Sequence, residues 1–232
     1  MVSPPDMLGV FAARWDRLAP RLPRSARDEL AVLLGRLRAQ EGEAGAAARE
    51  EVLGRAVRAV LDALPEDEAE RLRHDTDPAR YAGAQAQAQA QAQVAAGFDA
   101  ADLCMLVIDG NPMVGPRLGP VRERLLGVPA LSEAEVVRAG GDPARRDLIA
   151  LSDARGRRRY PAFQFESGAD PWDIVARINA LLGSAEDPWG TADWWVSEHT
   201  WWGRPPSALL GTGHDAVLWT AGREAAGAGE ED

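Results

Sequence analysis

The C-terminal stretch PWGTADWWVSEHTWWGRPPSALLGTGHDAVLWTAG, residues 188–222, is dense in tryptophan. Of the 8 tryptophans in the chain, all but one lie at or beyond residue 172. Aromatic side chains bury large areas and are enriched at the centres of protein interfaces, so this density predicts a tight small core or an interaction surface. Neighbouring tryptophans on a helix point about 100° apart. We therefore expect at least one ring of each pair, Trp194–Trp195 and Trp201–Trp202, near the surface.

A helix is predicted immediately before this stretch, ending at Gly183, a residue that suits a helix C-terminus. Its apolar positions recur at helical spacing and are Trp172, Ile174, Val175, Ile178, Leu181 and Leu182. This helix accounts for a single tryptophan. Because one small domain cannot easily bury all the others, exposed rings are expected among them.

Residues 203–213, GRPPSALLGTG, combine a turn with a short helix. Gly203 allows the chain to turn, a proline fixes the start of the helix, and Leu209 and Leu210 seat it on its neighbours. The segment AVLWTA at 216–221 supplies a final helix. Together with the aromatic helix before it, this arrangement resembles the toxin-binding domain of Xre/MbcA/ParS-like antitoxins. Their pattern is Gly-Arg/Lys-x-Pro-x-x-x-Leu-x-x-Gly followed by a helix with Val and Ala spacing.

The run GRRRYPAFQF at 156–165 carries a shorter likeness to the same family, in which a wing glycine and a basic run precede Tyr/Phe-Pro-x-Phe-Gln-Phe. These residues equally suit a strand whose rings fill the core between two modules. The main resemblance covers most of 171–222 and implies a helical toxin-binding-like domain at 167–222. It also implies a partner toxin of the RES-domain class, which consumes or modifies NAD. The extra tryptophans and the long N-terminal region depart from the family, so the identity of the partner stays open.

The aromatic density and the resemblance together predict a partner-binding site. Its predicted residues are Trp194, Trp195, Trp201, Trp202, Gly203, Arg204, Pro205, Leu209, Leu210 and Trp219.

Residues 131–165 predict a small winged helix-turn-helix-like module with one β-hairpin. A serine cap and a glutamate at capping-box spacing begin a short helix at 131–137. A glycine pair permits a tight turn, and a proline can open a second helix at 143–149. Residues 149–152 and 157–165 then form two strands, and this hairpin is the wing.

Positive charge is concentrated in this module. Arginines minus carboxylates give 9 − 7 = +2 over residues 121–166, against 3 − 11 = −8 over 167–232. If the module contacts operator DNA, its second helix and wing supply the phosphate contacts. The arginines concerned are Arg145, Arg146, Arg155, Arg157, Arg158 and Arg159. A solvated charged hairpin is the alternative, and a winged fold that has lost DNA binding has the same pattern.

Two amphipathic helices are predicted in the N-terminal region, at 24–40 and 46–64. Their apolar faces are Leu30, Leu33, Leu34 and Leu37, and Val52, Val57, Val60, Leu61 and Leu64. A core helix pair, an α-hairpin and a dimerising pair all fit this pattern, and a homodimer follows from the last.

The tract GAQAQAQAQAQ at 83–93 offers too little apolar surface to offset the entropy of ordering, and it predicts a linker or a weak helix. Helix periodicity returns at 94–109, and proline and glycine break it at 111–120. The predicted domains are an N-terminal helical region (1–81), an Ala/Gln-rich linker with a connecting helix (82–120), the winged module (121–166), the toxin-binding-like domain (167–222) and a disordered acidic tail (223–232).

Composition excludes several kinds of chemistry. All 26 basic residues are arginine and the only cysteine is Cys104, so the chain can form neither a lysine Schiff base nor an internal disulfide. The 3 histidines lack metal-ligand spacing, and the carboxylates beside them in sequence do not build a triad. We expect no catalytic residue, no metal, no cofactor and no enzyme.

The sequence also lacks an apolar run near the ~18 residues of a membrane span and an N-terminal signal, which predicts a cytoplasmic protein without a membrane partner. The interpretation is a mainly α, antitoxin-like regulator that neutralises a partner toxin and binds operator DNA. Two alternatives remain. One is a non-catalytic scaffold or adaptor that recognises another protein through its Trp-rich domain, and the other is a transcription regulator without a toxin partner.

Overall fold

Helices make up most of the described chain, which confirms the predicted mainly α class. The computed structural model describes residues 3–39, 46–75 and 97–228. The chain divides into two units, one ending at Pro120 and the other beginning at Val121. Within the residues described, no helix has both the length and the apolar character needed to span a bilayer.

Helices pack around one another in the N-terminal unit. Its elements are α1 (Pro4–Ala13), α2 (Trp15–Leu18), a 3-10 turn (Ala19–Arg21), α3 (Arg24–Ala39), α4 (Ala46–Leu61), α5 (Glu66–Asp75) and α6 (Ala100–Ile108). A seventh helix, α7 (Gly115–Leu126), contains the division between the units.

The two helices predicted from amphipathic spacing are present as α3 and α4. The predicted face of α3 is buried, namely Leu30, Leu33, Leu34 and Leu37. On α4 the buried face is rotated slightly from the prediction, because Leu53 and Ala56 are buried whereas Val52 and Val57 are half-buried. The two helices pack against each other within one chain, as an α-hairpin does.

Helix α1 lies outside the predicted helices. Its residues Met7–Ala12 are all buried, so apolar side chains lie on several faces of the helix. The sequence therefore lacks the amphipathic spacing by which the other helices were predicted. The Ser3 hydroxyl accepts the Asp6 backbone N–H at 3.4 Å and caps the helix. A Cβ on Gly9 would lie 2.5 Å from the carbonyl oxygen of Phe98, so glycine allows α1 to approach this part of the chain.

Residues 97–120 belong to the N-terminal unit, and the connecting helix predicted at 94–109 is present there as α6. Helix α6 starts with a capping box between Asp99 and Asp102, and it packs on α1 and α3. The break predicted at 111–120 is wrong from residue 115 onward, where α7 begins. Proline in the first helical turn costs no backbone bond, and the helix then continues through Pro120. The Ala/Gln tract at 83–93 lies outside the described residues.

The C-terminal unit combines short strands with helices. Its elements are β1 (Ala130–Ser132), α8 (Glu133–Arg138), β2 (Leu151–Ser152), β3 (Arg158–Pro161), a 3-10 turn (Ala162–Gln164), β4 (Phe165–Ser167), β5 (Asp170–Pro171), α9 (Asp173–Leu181), α10 (Pro188–Val196), a 3-10 helix (Pro206–Leu209) and α11 (Asp215–Ala228). The first three strands form an antiparallel sheet in the order β1-β3-β2, and β4 pairs with β5.

The predicted hairpin is confirmed as β2 and β3. Ser152 pairs with Arg158, and Gly156 closes the turn with a φ of 74°, a left-handed conformation that glycine adopts without a steric cost. The unit contains more strand than the single predicted hairpin, because β1 adds a third strand and β4 and β5 form a second sheet.

Strand β1 occupies the start of a stretch that was predicted as helix. Leu131 pairs with Tyr160 of β3, and the helix begins one residue after Ser132. The predicted capping box is present, with Ser132 and Glu135 each bonding the other's backbone N–H. The helix cap, which depends on nearby residues, was therefore predicted correctly. The pairing of β1 with β3 joins residues far apart in sequence and was not predicted.

The second helix of the winged module is absent. Residues 143–149 form turns and contain no helix, so Arg145 and Arg146 do not lie on a recognition helix. Residues 121–166 and 167–222 lie in one compact unit, so the predicted boundary at residue 166 falls inside it. Helix α11 reaches Ala228, so the predicted disordered tail is wrong for 223–228, and the last four residues lie outside the described part of the chain.

Helices α9 and α11 run the same way. A Cβ on Gly211, shortly before α11, would lie 3.2 Å from the Trp172 ring at the start of α9, and a Cβ on Gly222 would lie 3.2 Å from Ile178 further along α9. Arg177 of α9 also lies over the Trp219 ring of α11 at 4.3 Å.

We predict that Phe11→Ala lowers the free energy of unfolding by about 3–5 kcal/mol, because it empties a fully buried site in the helical core. Val32→Ala on α3, where Val32 is 57% exposed, should change it by about 0.5 kcal/mol or less. Urea denaturation followed by circular dichroism measures both. Equal effects would contradict the placement of α1 in the core.

Candidate partner-binding site

Buried polar side chains hold the segment 143–149 in its non-helical path. Gln164 is fully buried, and its amide bonds both backbone groups of Ile149, accepting the N–H at 2.9 Å and donating to the carbonyl at 3.1 Å. The Tyr160 hydroxyl donates to the Pro143 carbonyl at 3.1 Å. Each of these bonds satisfies a backbone group that a helix would have used itself. This is the physical reason why the predicted helix does not form.

The same segment is tied to the helices. Asn179 of α9 donates to the Asp147 carbonyl at 2.9 Å, and Ser184 donates to the Arg146 carbonyl at 3.0 Å. Asn179 is fully buried and Ser184 is 2% exposed. Burial without partners would destabilise such groups strongly, so the network fixes one arrangement of segment and helices.

Trp195 is the largest fully buried side chain of this unit. Its Nε1 donates to the Asn179 Oδ1 at 2.8 Å, which extends the network into α10. The ring packs against Phe163 at 5.7 Å and edge-on to Trp194 at 4.9 Å between centroids. A side chain with no exposed surface cannot touch a partner in this structure. The prediction of Trp195 as a contact residue is therefore corrected.

An exposed turn, which we call the aromatic loop, comprises residues 199–204. His199 and Arg204 form an antiparallel bridge, and the Gly203 N–H donates back to the His199 carbonyl at 2.9 Å. Gly203 has a φ of 59°, as its predicted turn role requires. The His199 ring stacks on Trp202 with centroids 4.1 Å apart and planes at 19°. Trp201 projects from this frame and is 70% exposed.

The segment leading into the aromatic loop is clamped. Arg124 donates to the carboxylate of Asp193, and the Ser197 hydroxyl donates to the same carboxylate oxygen at 2.9 Å. Asp193 lies in the last turn of α10 and Ser197 caps its end. Because Trp195 is anchored in the same last turn, the end of α10 is fixed, and so is the point at which the aromatic loop begins.

The other predicted contact residues differ in exposure. Gly203 and Arg204 are exposed, whereas Trp202, Pro205, Leu210, Trp194 and Trp219 are half-buried and Leu209 is buried at 6%. Leu209 belongs to the 3-10 helix that packs on α10 and α11, which matches its predicted seating role. Trp194 lines a groove of about 400 Å³.

His199 is the residue that sequence reasoning missed, because the histidines were considered only as metal ligands or members of a triad. Its position two residues before Trp201 and three residues before Trp202 is the sequence signal that could have identified it. The ring packs on both indoles, edge-on to Trp201 at 5.5 Å.

The six arginines predicted to contact DNA do not form one free patch. Three of them pair with carboxylates: Arg145 with Asp147, Arg146 with Glu186 and Arg157 with Asp153. Arg159 is half-buried, and Arg155 and Arg158 are exposed with no ion pair among the described residues. DNA contact through the hairpin therefore stays a prediction.

Two carboxylates in this region have lowered pKa values. A bidentate hydrogen bond from Arg145, at 2.8 and 2.6 Å, lowers the pKa of Asp147. Burial raises the pKa of Asp153, but hydrogen bonds from the Arg157 side chain and from the backbone N–H groups of Arg157 and Arg155 outweigh it, so that pKa is also lowered. Both groups hold turns of the unit in their charged form.

Comparison with known proteins adds no assignment: no protein-family model, no curated protein and no solved structure matches the chain. Among the residues that the structure describes, no three histidine, cysteine or carboxylate side chains come together as a metal site. The function must therefore be argued from the exposed surface itself.

We predict that Asn179→Leu lowers the free energy of unfolding by about 2–4 kcal/mol, because it leaves the Trp195 N–H and the Asp147 carbonyl buried without partners. Arg146→Gln, which removes an ion pair whose side chains are 81% and 68% exposed, should leave it nearly unchanged. Urea denaturation followed by tryptophan fluorescence measures the difference. A loss no greater than that of the control would rule out the network as the constraint.

Asp147 also predicts a pH dependence. Its pKa is lower in the folded chain than in the unfolded chain, so its stabilising effect is complete above the ordinary value of about 3.9 and disappears as the pH falls through the folded value. Asp147→Asn should therefore reduce the melting temperature at pH 6 more than at pH 3. A reduction that stays constant between the two pH values would contradict this origin.

Proposed function

We propose that the chain is a non-catalytic regulator that binds a protein partner through the aromatic loop, in the manner of an antitoxin. The observation that carries the proposal is Trp201, an indole left 70% exposed on a loop fixed by backbone bonds and ring stacking. A rigid aromatic side chain loses little conformational entropy on binding and is the kind of residue that dominates interface energies.

Because most of the Trp201 side chain is exposed, its burial contributes little to the stability of the fold. Among the described residues, the other exposed large hydrophobic side chains are aliphatic and less exposed than Trp201: Val32, Ile108, Leu118, Val137, Leu181 and Val217. Single exposed aliphatic residues are common on protein surfaces and need no explanation. An indole held out by its own hydrogen-bonded turn, with a clamped helix behind it, is better explained as a contact residue than as a packing residue.

The resemblance of residues 203–213 to the toxin-binding pattern supports a toxin of the RES-domain class as the partner. Two residues of that pattern, Gly203 and Arg204, are exposed immediately beside Trp201. Arginine is common at interfaces because its planar group bonds carboxylates in two places. An adaptor or a transcription regulator that uses the same loop for another protein is the alternative, and the partner's identity separates these cases.

We predict that the full chain co-purifies with the product of the reading frame next to its own gene, and that Trp201→Ala weakens this capture by about thirtyfold, corresponding to about 2 kcal/mol. Val137→Ala is the matched control, because Val137 is an exposed apolar residue on α8, at 57%. It should leave capture unchanged. Affinity measured by calorimetry on the purified pair gives the ratio.

Three outcomes bear on the proposal. Capture that depends on Trp201 supports it. Capture that is unaffected by Trp201→Ala, with the circular dichroism spectrum intact, would place the contact outside the aromatic loop. Failure of the wild-type chain to capture the neighbouring product would favour the adaptor or the transcription regulator.

A further inference from the structure

The groove that Trp194 lines has apolar walls from three helices, and we call it the Trp194 groove. It lies against the last residues of α9, along α10 and near the end of α11, with a volume of about 400 Å³. The walls are mainly Leu181, Leu182, Trp194, Ala225 and Ala226, with Asp187 as the charged residue. The two alanines have short side chains, so the wall formed by α11 leaves the groove unfilled.

Apolar surface in the Trp194 groove is left uncovered. Leu181 is 38% exposed, and Trp194 is half-buried although Trp195 beside it is fully buried. Such surface gains free energy when an apolar group replaces the water on it. A cavity of roughly 150 Å³ holds benzene, so a groove of this volume has room for an indole.

The same unit carries the indole of Trp201. This side chain is 70% exposed, so it does not occupy the groove of its own chain. Among the described residues it is also the only aromatic one of the exposed large hydrophobic side chains. Every copy of the chain therefore presents both a projecting indole and an unfilled groove. In a pair related by a two-fold axis, two such features can meet twice, each copy giving and receiving one.

Opposite charges lie beside the indole and the groove. Arg204 is exposed in the aromatic loop, where its bridge to His199 holds it in the same turn as Trp201. Asp187 is exposed at the groove, and its Oδ1 accepts the Gly190 N–H at 2.8 Å. Within the described part of the chain neither Arg204 nor Asp187 forms an ion pair. An indole that enters the groove brings a guanidinium to the surface that carries this carboxylate, and the two groups attract each other.

We infer that a second copy of this chain inserts Trp201 into the Trp194 groove, and that reciprocal insertion forms a dimer. This self-contact goes beyond the proposed function. Its regulatory consequence rests on the proposed function: because the protein partner contacts the same indole, self-association and partner binding exclude each other. Binding of the partner therefore separates the two copies.

Sedimentation velocity of the full chain tests the self-contact without any partner. The contact is small, so we expect a dissociation constant on the order of 10–100 µM, with a sedimentation coefficient that rises from monomer to dimer between about 5 and 300 µM chain. The acidic excess of residues 167–232 opposes the approach of two copies. The measurement is therefore made at about 0.3 M salt, which screens charges more than about 6 Å apart.

Variants on both sides of the contact localise it. Trp201→Ala removes the indole and Ala226→Phe fills the groove, and each should weaken self-association about tenfold or more. Val137→Ala and Val217→Phe are the matched controls, since Val137 and Val217 are 57% and 42% exposed and lie outside the groove. Both controls should dimerise like the wild-type chain. Leu181→Ser opens the groove and should weaken self-association several-fold, which keeps the test valid if circular dichroism shows that Ala226→Phe is unfolded.

The product of the neighbouring reading frame separates the self-contact from the proposed function. Ala226→Phe retains Trp201 and cannot store it in a second copy, so it should capture this product at least as tightly as the wild-type chain does. Trp201→Ala should weaken both the capture and the self-association.

Each outcome decides one of the two claims. A wild-type chain that stays monomeric up to about 300 µM, or a dimer that survives Trp201→Ala or the folded groove variants, overturns the self-contact. Capture that depends on Trp201 then still supports the proposed function. A dimer that requires both positions while the neighbouring product is not captured supports the self-contact and contradicts the antitoxin assignment.

Discussion

The amide of Asn179 is the constraint on which the C-terminal unit depends. It accepts the Trp195 N–H at 2.8 Å and donates to the Asp147 carbonyl at 2.9 Å, so one buried side chain joins two helices and an irregular segment. An orphaned polar group in this position would destabilise the fold strongly, so the two bonds of Asn179 favour this arrangement of the three parts. The orientation of α10, and with it the base of the aromatic loop, follows from this bond.

Local patterns in the sequence were sufficient for elements whose cause is local. Leucine spacing predicted α3, the turn around Gly156 predicted the hairpin, and Ser132 predicted the start of α8. Elements with distant causes were missed or wrong. Residues 143–149 were predicted as a helix, but the side chains of Gln164 and Asn179 bond backbone groups of this segment. Both side chains are distant in sequence, and a periodicity of apolar residues does not predict such bonds.

Composition predicted which part of the chain carries the candidate site, and the packing of the helices shows which of its tryptophans are exposed. Tryptophan density pointed to the correct part of the chain, and the rule that neighbouring rings diverge predicted one surface ring in each pair. Which ring is exposed depends on how α10 meets α9, and that contact places Trp195 inside while Trp194 is partly open. Trp201 is exposed for a different reason, since the turn closed by Gly203 directs it outward and its ring contact is the edge-on packing with His199.

Hydrogen–deuterium exchange of the full chain, alone and with the captured partner, tests most directly whether the aromatic loop is the contact surface. The account predicts that partner binding slows exchange in a peptide covering residues 197–205, while exchange across α3 and α4 stays the same. Slowing confined to the hairpin of β2 and β3, with the loop unchanged, would contradict it and move the interface to the arginine-bearing face.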